Sequence, residues 1–291
     1  MACREELHTR GLGCLQRRLV GSKRGVFLPD KFEKIEEQIE RLLQRDREKE
    51  KRIKDEEYYK VRQLAFDNRT VRSLLKLFNK GVLEDLTWVI SAGKESLVLA
   101  GKGPEGELAI KIYRIYTANF KKYLDYIIGD HRFPPVRDRD KIIPLWAKKE
   151  FRNLKRLRDV EVNVPRPIDV TGNILVMQFI GEEGVPAPLL KEVVDLENPR
   201  QFLDAILNDI RKAYVDGDLV HGDLSEYNVM VWRGKHWIID VSQAVVTAHP
   251  LSFSFLLRDL ERITSFFKKR YRIEVPDPYK LAEDLAKVKE V

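Results

Sequence analysis

In the run ELAIKIYR a single lysine, Lys111, interrupts a segment whose residues otherwise run apolar as a buried β-strand does. An ammonium group there is costly unless a carboxylate meets it, so the chain must bring an acidic residue from elsewhere to this strand. Glu150 is the natural partner, because AKKEFRNLKRL (147–157) sets Phe151, Leu154 and Leu157 on one side and reads as a helix. Two further strand patterns, TWVISAG and ESLVLAG, come before Lys111, and KGPEG supplies a turn with Pro then Gly. Three antiparallel strands are therefore predicted, with NILVMQFIG a later buried strand ending at Gly181.

The second half carries the polar chemistry. In LVHGDLSEYNVMVWRGKHWIIDVSQ (219–243), Asp223 precedes Asn228 by the spacing that separates the base from the metal-binding Asn in a kinase catalytic loop, and Asp240 ends an apolar strand. Phosphoryl transfer asks for a carboxylate at the attacking hydroxyl, metal ligands bridging the phosphates and a cation on the phosphates. Asp223, the pair Asn228 and Asp240, and Lys111 fill those needs. Mg2+ takes oxygen ligands and keeps several waters, so one Asn, one Asp and nucleotide phosphates suffice, with Mn2+ as an alternative ion. Between the first two strands, SAGKES offers Gly93 for a turn near phosphate and donors from Ser91, Lys94 and Ser96.

Each signal is weak by itself. Gly93 alone reads as an ordinary turn, Asp223 alone as a turn cap and His221 as a structural hydrogen-bonding residue. Their order is what discriminates. Loop, strand Lys, helix Glu, apolar strand, catalytic loop and strand Asp follow as a bilobal kinase requires. The expected fold class is α+β, a protein-kinase-like fold with an antiparallel-sheet N-lobe and a compact, mostly helical C-lobe.

Around this centre the sequence divides into a basic arm (1–30), a charged amphipathic helix (31–60), an N-lobe with a preceding helix and flexible loop (61–180) and a C-lobe (181–291). Phe32, Ile35, Ile39 and Leu42 give the first helix a short seam, but its interleaved charges favour an exposed, solvated helix. DNRTVRSLLKLFNKG predicts a helix capped by Asp67 and stopped at Gly81, with Val71, Leu74, Leu75 and Phe78 on one face. Residues 114–146 read as a mobile loop with partly helical ends, and Tyr116, Thr117, Tyr123 and Tyr126 there as packing or solvated groups. PRQFLDAILNDIRKAYVDG, HPLSFSFLLRDLERITSFFKKRY and PYKLAEDLAKVKEV are helices of the C-lobe.

With 43% apolar and 34% charged residues, the composition excludes a wholly disordered chain. The net charge of +7 suits acidic partners or plain solubility. Cys3 and Cys14 lack metal-ligand spacing, which disfavours zinc, and neither a signal peptide nor a membrane span is apparent. A reducing, cytoplasmic location without membrane contact is expected.

These motifs resemble the RIO family of atypical serine/threonine kinases over roughly residues 65–270. ISAGKES (90–96) is similar to its phosphate loop, AIKIYR to its lysine strand, YIIGDHRF to its flexible-loop signature, and HGDLSEYN with IIDVSQ to its catalytic and metal loops. GVPAPLLKEV after the hinge is most like the first RIO subfamily. The chain departs at Ala92, Ser96, Leu97 and Gln178, where the loop and hinge patterns usually differ. The resemblance implies ATP with Mg2+ as cofactors and a phosphate loop of Ser91, Gly93, Lys94, Glu95 and Ser96. It implies Met177 guarding the adenine pocket and Gln178 and Ile180 presenting backbone groups to the base. It further implies Asp223 as proton acceptor, Asp240 as metal ligand and possible site of an aspartyl phosphate, and action on small ribosomal subunit precursors, protein and rRNA.

Two other readings stand beside it. One is a small-molecule kinase of the aminoglycoside or choline type, which also carries HGDL, a following Asn and a later Asp; PAPLLKEV and DVSQ argue against it. The other is a nucleotide-binding scaffold on pre-ribosomal particles. VSQAVVTAHP is too short for a peptide-docking activation segment, which favours a switch-like ATPase. The phospho-acceptor, the oligomeric state and the role of residues 1–30 are left open.

Overall fold

In the computed structural model, the described residues are 29–49, 66–93, 95–114, 124, 126–133, 136 and 138–290. Most of the basic arm, both cysteines, Lys94, Tyr116, Thr117 and Tyr123 lie outside them, as does the second half of the expected 31–60 helix.

The first half builds one antiparallel sheet from β1 (Asp85–Ala92), β2 (Ser96–Gly103), β3 (Gly106–Tyr113), β4 (Pro167–Thr171) and β5 (Ile174–Gln178), in the order β1-β2-β3-β5-β4. Five strands thus replace the three-plus-one expected. The missed strand is β4, whose PIDVT lacks an apolar run. It begins on a proline, which a sheet accepts at the edge strand it forms.

Strand β3 is in the interior, paired with β2 and β5, and its side chains alternate between faces. Leu108, Ile110 and Ile112 enter a core with Leu97, Leu99, Ile174 and Val176. Ala109, Lys111 and Tyr113 therefore take the opposite face.

Two helices cover the core face. In α1 (Pro29–Lys49), Ile35, Ile39 and Leu42 are buried against the sheet and α2, so the predicted seam is right but the helix is docked rather than solvated. α2 (Asn68–Asn79) starts where Asp67 Oδ1 accepts from the Thr70 amide at 2.8 Å, and Gly81 follows at φ +70°. Val71, Leu74 and Leu75 are buried as expected, with Leu77 taking the place given to Phe78, which is only partly buried.

Helix α3 (Arg139–Asp159) starts eight residues earlier than the sequence pattern suggested and runs through Pro144. Its first eight residues are the C-terminal end of the 114–146 segment, whose ends were expected to be partly helical. Tyr126 is buried, its ring 6.2 Å from Trp146 and 5.4 Å from Phe255. Ile142, Ile143, Trp146, Leu154 and Leu157 of α3 join the second, larger core with the elements that follow.

After β5 the chain makes a hairpin of β6 (Gly181–Glu182) and β7 (Val185–Pro186). Its turn holds Glu183 and Gly184 at φ 50° and 72°. A Cβ on Gly184 would fall 1.1 Å from the Trp88 ring of β1, so only glycine lets the indole rest there. The helical lobe then comprises α4 (Pro199–Val215), α5 (Ser252–Tyr271) and α6 (Pro278–Glu290), with the short pairs β8 (Leu219–Val220) with β11 (Val245–Val246) and β9 (Val229–Trp232) with β10 (Lys235–Ile238). Among the described residues, no helix is long and apolar enough to cross a membrane.

Candidate active site

The lysine that opened the argument is 5% exposed, and its ammonium group bridges two carboxylates. Lys111 Nζ lies 3.0 Å from Glu150 Oε1 of α3 and 2.7 Å from Asp240 Oδ1 beyond β10. Glu150 is also bonded by the Tyr113 hydroxyl, two positions along the same strand face. Burial alone would lower the Lys111 pKa, but Asp240 and Glu150 together raise it, so the ammonium stays charged. Enclosure opposes ionisation of Asp240, yet the Lys111 charge prevails and its carboxyl sits at about 2. Burial pushes Glu150 and Tyr113 upward. Both recorded bonds to Asp240, from Lys111 and from Ser242 Oγ at 2.8 Å, fall on Oδ1. Oδ2 is turned away from them, and the side chain is 45% exposed.

Asp240 has left-handed backbone angles, φ 56° and ψ 59°, an arrangement aspartate tolerates better than most residues. What holds it there was not foreseen from the sequence. Lys149, fully buried on α3, donates to the carbonyls of Ser242, at 3.1 Å, and Ala244. Asn153, one turn on, donates to those of Val241 at 2.8 Å and Ala244 at 3.2 Å. Arg132 donates to Asn153 Oδ1 at 2.9 Å and pairs with buried Asp130, whose carboxyl it lowers against the pull of burial. Burial brings Lys149 itself down to about 7. The IIGDHRF segment, helix α3 and the loop after Asp240 thus form one hydrogen-bonded unit.

The loop bearing Asp223 is fixed by a carboxylate also absent from the sequence reading. Asp259, on the apolar face of α5 and 2% exposed, accepts the Gly222 amide on Oδ2 at 2.7 Å and the Leu224 amide on Oδ1 at 2.8 Å. His221 Nε2 lies 3.1 Å from the Ile239 carbonyl, the structural role expected of it. Asn228 Nδ2 donates to the Asp223 carbonyl at 2.8 Å, which fixes the asparagine within the loop. Asp223 Oδ1 pairs with Arg262 Nη1 at 2.7 Å and Oδ2 accepts from Gln243 Nε2 at 3.3 Å.

Burial raises Asp259 from 3.8 to about 6. Between about pH 4 and 6 the folded state therefore binds a proton that the unfolded chain does not. Its burial as a carboxylate weighs against folding above pH 6, and the penalty is relieved as pH falls through that window. Relative to wild type, Asp259→Asn should flatten the pH dependence of stability by about 1.4 kcal/mol between pH 5 and 7.5, read from urea melts at those two values. An amide cannot accept both backbone N–H groups, so the variant should also turn over more slowly at neutral pH.

The other expected residues take their places with two qualifications. Ser91 is the last residue but one of β1 and Ser96 begins β2, but the Gly93 amide is already bonded to the Ser96 carbonyl at 2.9 Å, and Glu95 gives its carbonyl to the Arg114 amide at 3.0 Å. The turn is thus partly closed on itself, and Gly93 needs no positive φ. At the hinge, the Gln178 amide donates to the Arg166 carbonyl at 2.8 Å and the Ile180 carbonyl accepts from Ala187 at 2.9 Å. Met177 packs with Ala100, Ala109, Phe179, Trp88, Ile90 and Val98 in a small apolar cluster on the Lys111 face.

A β-sheet lobe that pairs a strand lysine with a helix glutamate, set over a helical lobe carrying Asp223, Asn228 and Asp240, defines a protein-kinase-like fold. Solved structures agree. The Rio2 kinase-ADP/Mg2+-phosphoaspartate complex from Chaetomium thermophilum matches with a TM-score of 0.61 at 22% identity, covering 76% of this chain and 66% of that one. The RIO domain family matches residues 94–280, and the chain belongs to that family. It is 39% identical over 251 residues to the RIO-type serine/threonine-protein kinase Rio1 of Methanocaldococcus jannaschii, covering 85% of each chain. To the protein of the same description from Haloferax volcanii it is 36% identical over 261 residues, covering 87% of this chain and 89% of that one.

Proposed function

We propose that this chain is a cytoplasmic serine/threonine kinase and ATPase that uses ATP with Mg2+ and acts on small ribosomal subunit precursors. The observation that carries the catalytic part is the Lys111 bridge between Glu150 and Asp240. It joins the sheet lobe to the loop of Asp240 and so sets a fixed cation beside the carboxylate assigned to the metal, the pairing that the phosphates of a nucleoside triphosphate with Mg2+ call for. The ribosomal part rests on family resemblance.

The residues fit the nucleotide. Ala100 and Ala109, both small, lie beside Val98 and Met177 in the apolar cluster that would receive a flat base, and the family resemblance assigns its recognition to backbone groups of Gln178 and Ile180. Lys111 steadies the phosphates, held in position by Glu150. The oxygens of Asn228 and Asp240 are the donor type that Mg2+ prefers, and among the described residues no cluster of three or more His, Cys, Asp or Glu forms a separate metal cage. Bound MgATP supplies the transferable phosphoryl group and neutralises its developing charge.

Asp223 takes the proton of an acceptor hydroxyl as its oxygen attacks phosphorus and the bond to ADP breaks. Alternatively, the Asp240 carboxylate attacks the γ-phosphorus itself, releasing ADP, and water later cleaves the acyl phosphate to inorganic phosphate. Incubation with γ-labelled ATP and Mg2+, with and without small-subunit precursors, reports both fates. Label on the protein that hydroxylamine removes is expected from Asp240, together with free phosphate. Hydroxylamine-stable label would eliminate the aspartyl intermediate. Neither labelled protein nor labelled phosphate would leave only a nucleotide-binding scaffold.

A further inference from the structure

One face of α5 carries a mostly cationic stripe at the edge of the core and beside the catalytic loop. Arg262, Ser265, Phe266, Lys269 and Arg270 recur at i, i+3, i+4, i+7 and i+8, the spacing of a single helical stripe. With Glu226 they line a pocket of about 460 Å3. Three cations and one carboxylate face it. At its inner end Arg262 holds Asp223 Oδ1, both side chains being substantially exposed at 41% and 37%.

That contact opposes the role assigned to Asp223, since a proton acceptor must offer an oxygen to the incoming hydroxyl. The Gln243 contact on Oδ2 is long, whereas the Arg262 contact is short and charge-assisted. Exposed ion pairs are nevertheless weak, so a competing anion can displace this one.

We propose that the pocket reads an acidic side chain lying beside the serine or threonine to be phosphorylated, and that its arrival draws Arg262 away from Asp223. This rests on the phosphoryl-transfer reading above and names its substrate class, an acidic peptide. A nucleic-acid strand fits less well. Glu226 interrupts the positive lining, and Phe266 is packed edge-on against Phe267 and Tyr271 rather than presented for stacking.

The test uses the full chain with MgATP and three peptides with one serine each, flanked by Glu, Gln or Lys. The Glu peptide should exceed the Gln peptide by at least ~10-fold in kcat/KM, the scale of one charge-assisted hydrogen bond. Lys269→Glu with Arg270→Glu, both exposed positions that should fold normally, should reverse the order of the Glu and Lys peptides. Arg262→Gln should raise kcat on the Gln peptide and shrink the Glu-to-Gln ratio. Equal use of all three peptides by wild type, or a ratio that ignores the charge reversal, would overturn the subsite. So would inhibition by a single-stranded RNA that the charge reversal relieves, if the peptides are not discriminated. Phosphate release without peptide separates the two levels: its presence beside indifferent peptides removes only the subsite, whereas absence of both phosphate release and peptide labelling removes the phosphoryl-transfer reading as well.

Discussion

Asp223→Asn should slow phosphate release and protein labelling at least ~100-fold while nucleotide binding persists, the scale expected when a positioned general base is lost. The substitution keeps the shape of the side chain and removes its ability to take a proton. It should leave the loop in place, because Asp259 holds the amides of Gly222 and Leu224, and Asn228 grips the carbonyl of residue 223 rather than its side chain. The exposed Arg262 ion pair is lost, and the single amide oxygen can accept from only one of Arg262 and Gln243, so stability should change by about 1 kcal/mol. Single-turnover phosphate release beside fluorescent-nucleotide titration separates chemistry from binding. Turnover within a few-fold of wild type would remove Asp223 from the mechanism.

Lys111→Met should reduce kcat/KM for ATP by roughly 10²–10³-fold, as loss of a fixed charge at the transferring group does. Here stability falls as well. Removing one partner of a buried pair costs about 3–5 kcal/mol because the other charge is stranded, and Glu150 is 0% exposed. Burial already pushes the Glu150 carboxyl upward, and without Lys111 the charge that opposes it is gone, leaving only the Tyr113 hydroxyl bond against it. The loss of stability should thus be larger at pH 8 than at pH 5, where the carboxyl can protonate. Lys111→Met with Glu150→Gln should recover most of the melting temperature and none of the activity. Recovery of both would make Lys111 a structural residue only.

The residues legible in the sequence are those whose chemistry is local. Asp223 and Asn228 announce themselves by spacing, and Asp240 by its position at the end of a strand. Lys111 and Glu150 were legible because a charge inside an apolar strand demands a partner, and a helix follows. Lys149, Asn153, Asp259 and Arg262 were missed, since their partners lie 35 to 95 residues away and no spacing rule reaches across that distance. A signal did exist for two of them. Asp259 sits between Phe255, Leu256, Leu260 and Ile263 on the buried face of α5, and Lys149 beside Trp146 and Ala147 on α3, each as anomalous as Lys111 in its strand. Applying the strand argument to helix faces would have found them. Strand β4 was illegible for another reason: as an edge it owes its place to pairing with β5 rather than to its own pattern. For α1 the seam was legible, but its balanced charges hid the fact that Ile35, Ile39 and Leu42 dock it on the sheet.

The loop after Asp240 has its carbonyls at 241, 242 and 244 all claimed by Lys149 and Asn153, side chains of one rigid helix. A segment tied down at three successive points has little freedom to flip between an on and an off arrangement. What varies at the site would then be the occupancy of the cleft rather than the position of this loop.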